Sequence, residues 1–176
     1  MPQKRQISGD IKEILDAVKQ QEDLERVIEI EEKTVQLVVF LFGDRYYAFY
    51  GELIKEIVTV TEITYVPGMP DCLLGIVNVR GEIESVLDLR KIFDLPSLPL
   101  TTQSRIIIGD VNAIRSGILV DSVEDVLELP EDQIQAPSSV LDSEYADYIA
   151  GEAAYKGHDL ILLDLAKIFK HLVHDD

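Results

Sequence analysis

The strongest constraint in this sequence is that part of it occurs twice. Moving residues 75–93 along the chain by 76 positions lays them on 151–169. Eight of the 19 residues are then identical: Gly75/Gly151, Gly81/Gly157, Leu87/Leu163, Asp88/Asp164, Leu89/Leu165, Lys91/Lys167, Ile92/Ile168 and Phe93/Phe169. About one match is expected from average residue frequencies. Upstream, 48–60 lies on 117–129 at an offset of 69, setting Ile54-Lys55-Glu56-Ile57 against Val123-Glu124-Asp125-Val126. The difference between the two offsets places an insertion in the second copy, near 137–147. A duplicated unit constrains architecture more than any single propensity, because both copies must find the same structure.

Each copy reads as β. The apolar runs 35–42, 45–50, 57–66, 73–79 and 83–87 are short and separated by turn residues such as Gly43-Asp44 and Arg80-Gly81. Five further runs follow at 105–108, 114–120, 126–129, 149–155 and 160–163. Between the sets, Pro96-Ser97-Leu98-Pro99 continues neither helix nor ladder and marks a connector. A unit of about 60–70 residues has a marginal core, and closing its sheet removes the exposed edges. The expectation is an all-β chain of two tandem five-stranded barrels, SH3-like or OB-like, with short helices. The first barrel spans 34–96 and the second 97–176, ending in a C-terminal helix. Residues 1–33 form an acidic extension, in which Ile11, Ile14, Leu15 and Val18 fall at helical spacing and predict an amphipathic helix over about 10–30. Asp88 and Asp164 are placed to N-cap short helices beginning at Leu89 and Leu165.

Charge and motif content then exclude several functions. With 16 Lys+Arg against 33 Asp+Glu, the formal net charge of −17 repels phosphate backbones and anionic lipid headgroups, so neither nucleic acid nor the membrane surface is an expected partner. No run reaches the ~18–20 apolar residues of a membrane span, and the N-terminus lacks a signal-peptide core. A single cysteine, Cys72, rules out an internal disulfide framework and fits a reducing compartment. The expected location is the cytoplasm.

No reactive constellation emerges either. The duplicated aspartates invite comparison with an acid-protease dyad, but leucine follows each, where that chemistry wants a small residue and an open cleft. His171 and His174 lack a nearby Cys or inward carboxylate to complete a metal site, and His158 follows Gly157 in a turn. There is no phosphate-cradling glycine loop and no Gly-x-Ser-x-Gly elbow. The aromatics Tyr46, Tyr47, Phe49 and Tyr50 alternate along one strand, so about half belong to the core. Recognition is what remains, with a groove between two barrels as the natural docking place.

At this point three blocks matter: Val66-Pro67-Gly68-Met69-Pro70, Leu74-Gly75-Ile76-Val77-Asn78-Val79-Arg80-Gly81-Glu82, and Val86-Leu87-Asp88-Leu89-Arg90. Their order and spacing resemble the signature of the bacterial chemotaxis coupling proteins, the CheW family. Residues 37–50, 117–123 and 148–151 extend the likeness over about 35–172. The resemblance implies a non-enzymatic adaptor of two five-stranded barrels, without cofactor, metal or catalytic residues. It would join the cytoplasmic helical hairpin of methyl-accepting chemoreceptors to the regulatory domain of the histidine kinase CheA, at receptor arrays beneath the inner membrane. On matching positions, Ile54 becomes an apolar receptor contact, and Glu56 and Arg80 an ion pair holding that surface. The alternative for the pair is a plain surface salt bridge of ~0–1 kcal/mol. Gly75 and Gly117 match glycines near the interfaces, where close backbone approach is an equal explanation. Asn78 either touches a partner or caps its turn. Departures from the family are Val79, Ser85 and the charges Glu82 and Glu84, which suggest a modified contact face. The rival expectations are an adaptor of another receptor-kinase pathway, such as twitching motility, and a small-molecule-binding β-barrel module.

Overall fold

The computed structural model describes residues 12–21, 33–138 and 145–174. Two units are distinguished, Met1–Lys33 and Thr34–Asp176. In the first, residues 12–21 are helical (α1), with Ile14, Leu15 and Val18 all exposed. The remainder of the helix expected over about 10–30 lies outside the described residues, as do 139–144 of the insertion.

Among the described residues, the second unit holds ten strands. They are β1 (Thr34–Phe42), β2 (Arg45–Tyr50), β3 (Ile54–Thr59), β4 (Leu73–Val79), β5 (Glu82–Asp88), β6 (Arg105–Val111), β7 (Ile114–Val120), β8 (Ser122–Pro130), β9 (Ile149–Tyr155) and β10 (His158–Leu163). Helix α2 (Leu89–Ile92) follows β5 and α3 (Leu165–His174) follows β10. Third in each copy, the strands β3 and β8 begin earlier than the apolar runs suggest, and β3 stops at Thr59 where a strand to 66 is expected. The alternation Ile54, Glu56, Val58 inward and Lys55, Ile57, Thr59 outward is a half-buried strand, but its inward carboxylate breaks the hydrophobic pattern.

The strands form two sheets of identical plan. Sheet I runs β8-β1-β2-β10-β9 and sheet II runs β3-β6-β7-β5-β4. Renumbering β6–β10 as the second copy of β1–β5 turns one order into the other, so the duplication is a structural fact. Even the irregularities repeat. The β3–β6 register slips at Lys55 and the β8–β1 register at Glu124, while β4–β5 slips at Leu74 and β9–β10 at Ala150.

Two expectations are corrected by this topology. The sheets do not divide at residue 96, because each takes the first hairpin of one copy and the last three strands of the other. The exchange is made by the only parallel pairings among the described residues, β2 with β10 and β5 with β7. Nor are the sheets closed barrels, since each strand order has two ends. Among the described residues one isolated bridge lies beside each gap: Thr64, beyond the end of β3, with Ile76 of β4, and Gln135, beyond the end of β8, with Glu152 of β9.

The bridges explain the duplicated glycines. A Cβ on Gly75 would lie 2.3 Å from the Thr64 carbonyl oxygen, and Gly75 has φ +147 besides. On Gly151 it would lie 2.9 Å from the Gln135 oxygen. Backbone cannot yield as a side-chain end can, so Gly75→Ala should lower stability by clearly more than the ~1 kcal/mol of an average substitution, measurable by urea unfolding.

Exchanged hairpins are buried on both faces, and their continuous apolar runs follow from that. In β1, Val38, Phe40 and Phe42 join a central cluster shared by both sheets, while Leu37 and Val39 line the interior of sheet I. In β6, Ile107 joins the centre and Ile106 and Ile108 line sheet II. Of the aromatic run, Tyr47 and Phe49 enter the central cluster, and Tyr46 and Tyr50 pack half-buried in sheet I. Both helices seal the centre through Leu89, Leu165, Ile168 and Phe169. Their aspartates cap as expected: Asp88 Oδ1 accepts from the Arg90 N–H at 3.0 Å and Asp164 Oδ1 from the Lys167 N–H at 3.0 Å.

Candidate functional site

All six residues singled out from the sequence lie on sheet II or in its β4–β5 turn. Glu56, Gly117 and Gly75 share one cross-strand row, Glu56–Ile108–Gly117–Val86–Gly75, which spans the sheet from edge to edge. Ile54 stands at the start of β3 opposite Gly109, half-buried against the central cluster. The β4–β5 turn has Arg80 at φ 53 and Gly81 at φ 92, as a two-residue type I′ turn requires. Asn78 fixes that turn, its Oδ1 accepting from the Gly81 N–H at 2.8 Å. A Cβ on Gly117 would meet Ile106 Cγ2 at 2.5 Å, so this glycine makes room for packing inside the sheet.

The turn carries Arg80 back over the open side of sheet II. Arg80 Nε lies 3.2 Å from Glu56 Oε2, joining the two edges. Arg80 is 84% exposed and Glu56 21%, so the pair presents its cation to solvent and holds its carboxylate half inside.

Arg115 was not legible as a site residue, yet it organises this surface. Its Nη1 lies 2.8 Å from Glu82 Oε2, its Nε 2.8 Å from Glu84 Oε1 and its Nη2 3.8 Å from Glu56 Oε1. The two glutamates that break the family pattern are therefore neutralised from β7. Glu84 is only 5% exposed, and burial pushes its carboxyl above the usual range while Arg115 pulls the other way. Ser85 is answered in the same manner, by Ser116 Oγ at 2.8 Å. A signal was present: two acidic residues on one strand call for a cation nearby. Only the parallel pairing of β5 with β7 says which one.

Arg90, inside the signature but given no role from sequence, is buried in the central region. It pairs with Asp121 and, at 3.8 Å, with Asp88, and its guanidinium sits 4.4 Å from the centre of the Phe42 ring. Among the described residues no group of three or more His, Cys, Asp or Glu is arranged to hold a metal ion. His171 instead meets the Tyr148 hydroxyl at 3.2 Å. No described helix is long and apolar enough to cross a membrane.

The second copy repeats the strap. Asp125 on β8 faces Lys156 in the β9–β10 turn at 3.8 Å, where Lys156 has φ 49 and Gly157 φ 81. An all-β chain built twice over, with a charged, solvent-facing strap on each sheet, belongs to the class of interaction modules. The family can be stated too: residues 36–173 match the CheW-like domain model, and the chain belongs to that family. It is 30% identical over 144 residues to the chemotaxis protein CheW of Treponema pallidum, covering 80% of this chain and 85% of that protein. Against the Bacillus subtilis chemotaxis protein CheW, identity is 35% over 106 residues, 60% of this chain and 68% of that one. Among solved structures, the scaffolding protein TtCheW of Thermoanaerobacter tengcongensis superposes with a TM-score of 0.69 at 29% identity, covering 76% of this chain and 86% of that one.

Proposed function

We propose that the chain is a non-enzymatic scaffold of chemotaxis signalling that couples methyl-accepting chemoreceptors to a CheA-type histidine kinase in the cytoplasm, at receptor arrays. The observation that carries this is the Glu56–Arg80 strap beside Ile54, built on a fold shared with a scaffolding CheW protein. The receptor's helical hairpin docks on sheet II, with Ile54 as apolar contact and Glu56 and Arg80 as its polar border. Gly75, Asn78 and Gly117 shape the surface from beneath. The kinase engages the chain through its regulatory domain. Coupling of this kind needs only ~1–3 kcal/mol, spread over many weak contacts.

Co-sedimentation tests the reading directly. Receptor-bearing membranes should carry down the chain together with the kinase, and kinase autophosphorylation should rise in the complete mixture. Ile54→Glu should lose receptor capture and keep a cooperative unfolding transition. Normal capture by that variant removes Ile54 from the surface, and absence of capture by the parent chain removes the function.

A further inference from the structure

We infer that Arg115 is a positioning residue of this contact surface, holding the Glu56 carboxylate, and through it Arg80, in the single arrangement a partner meets. The inference rests on the docking surface proposed above. An exposed ion pair such as Arg80–Glu56 orders little by itself, because a long side chain loses its rotamer freedom to a screened attraction. Among the described residues Arg80 pairs with Glu56 alone, so its placement is only as definite as that of Glu56. Glu56 in turn faces a second cation on its other side, within ion-pair range and without a hydrogen bond. Arg115 is anchored by two 2.8 Å contacts to Glu82 and Glu84, and its remaining nitrogen faces Glu56 Oε1 at 3.8 Å. A planar fork with donors on several sides serves three carboxylates at once, which an ammonium point charge cannot.

The second copy supplies an internal comparison. At the repeat offsets, Arg115, Glu82 and Glu84 correspond to Tyr46, His158 and Leu160. There the strap carboxylate Asp125 is also held by a second donor, but a neutral one: the Tyr155 hydroxyl donates to Asp125 Oδ2 at 3.2 Å, and its ring packs on Tyr46 with centroids 5.1 Å apart. Tyr46 reaches His158 in the same way, at 5.5 Å. Both straps thus carry a support for the carboxylate. Only sheet II makes it from charge, so two surfaces of the same backbone plan are chemically unlike, and a partner fitted to one is not fitted to the other. Unlike polar borders on equivalent frames are how one fold separates partners.

The test uses the full chain and a purified cytoplasmic hairpin fragment of a methyl-accepting receptor from the same cell. The variant Arg115→Gln/Glu82→Gln/Glu84→Gln removes the three charges together, isosterically at the two glutamates and with a shorter polar side chain at 115, so Glu84 is not left buried, charged and without its cation. It should melt within about 4 °C of the parent. Two changes are expected in it: the Arg80 Nε–Hε NMR signal loses its order, and hairpin binding weakens by at least about tenfold. An Arg80 signal that stays ordered overturns the assignment whatever binding does, and so does binding that stays within about twofold of the parent. Arg115→Lys keeps the charge without the fork. It should remain as disordered at Arg80 as the triple variant, and full recovery would show neutralisation rather than positioning, against the inference. If the parent itself fails to bind the hairpin, the proposed function falls, and the Arg80 signal alone then decides the role of Arg115.

Discussion

Reversing the charge at position 80 should all but abolish capture of the receptor hairpin while leaving the fold untouched. Arg80 is 84% exposed in a two-residue turn and, among the described residues, is ion-paired with Glu56 alone, so Arg80→Glu costs the chain the ~0–1 kcal/mol of a surface pair. Toward a partner the effect is different in kind. A glutamate there stands beside Glu56 and near Glu82, and like charges pressed together at an interface cost several kcal/mol, a loss of about 100-fold or more. Isothermal titration against the hairpin, with the melting temperature as control, reads both quantities. The exchanged double variant, Glu56→Arg/Arg80→Glu, sharpens the result. Recovered binding makes the pair a strap that shapes the surface, and continued loss makes Arg80 a direct contact. Unimpaired binding by Arg80→Glu would exclude this surface as the docking place.

The largest loss of stability is expected at Arg90. Its side chain is 4% exposed and lies among Asp88, Asp121 and the Phe42 ring. Asp121 also accepts the Gly43 N–H at 2.7 Å, so one guanidinium ties α2 of the first copy to the β7–β8 junction and to the β1–β2 turn. Arg90→Ala leaves the buried Asp88 and the partly exposed Asp121 without their cation, and breaking a buried pair in this way costs up to about 3–5 kcal/mol. Urea unfolding should show a lower midpoint at unchanged slope. Arg90→Met/Asp121→Asn, which removes both charges, should lose markedly less. A loss below ~1 kcal/mol in Arg90→Ala would mean that water reaches the cluster and that the tie is dispensable.

What the sequence made legible was the repeat, the strand number and the helix caps, because each is written locally. Asp88 and Asp164 needed only a position before Leu89 and Leu165, and the strands needed only apolar runs between turns. The exchange of hairpins was not legible. Val38 and Val39 read the same whether their partners come from the same copy or the other, since a run buried on both faces carries no alternation to betray its neighbours. The third strand was misplaced for a similar reason, Glu56 being polar at an inward position. At the candidate site, the Glu56–Arg80 pair could be carried over by resemblance. Arg115 could not, because its three carboxylate partners come from β3 and β5, and only the fold brings those strands beside β7.

The crossed hairpins bear on where such a chain came from. A single copy of the repeat, as a free polypeptide, has a first hairpin with no home except against the last three strands of another copy. Its hydrogen bonds and apolar faces are satisfied only when two chains embrace. The present chain has the plan of two intertwined copies joined through 96–104, and because one chain carries both copies, the straps on its two sheets need not be alike.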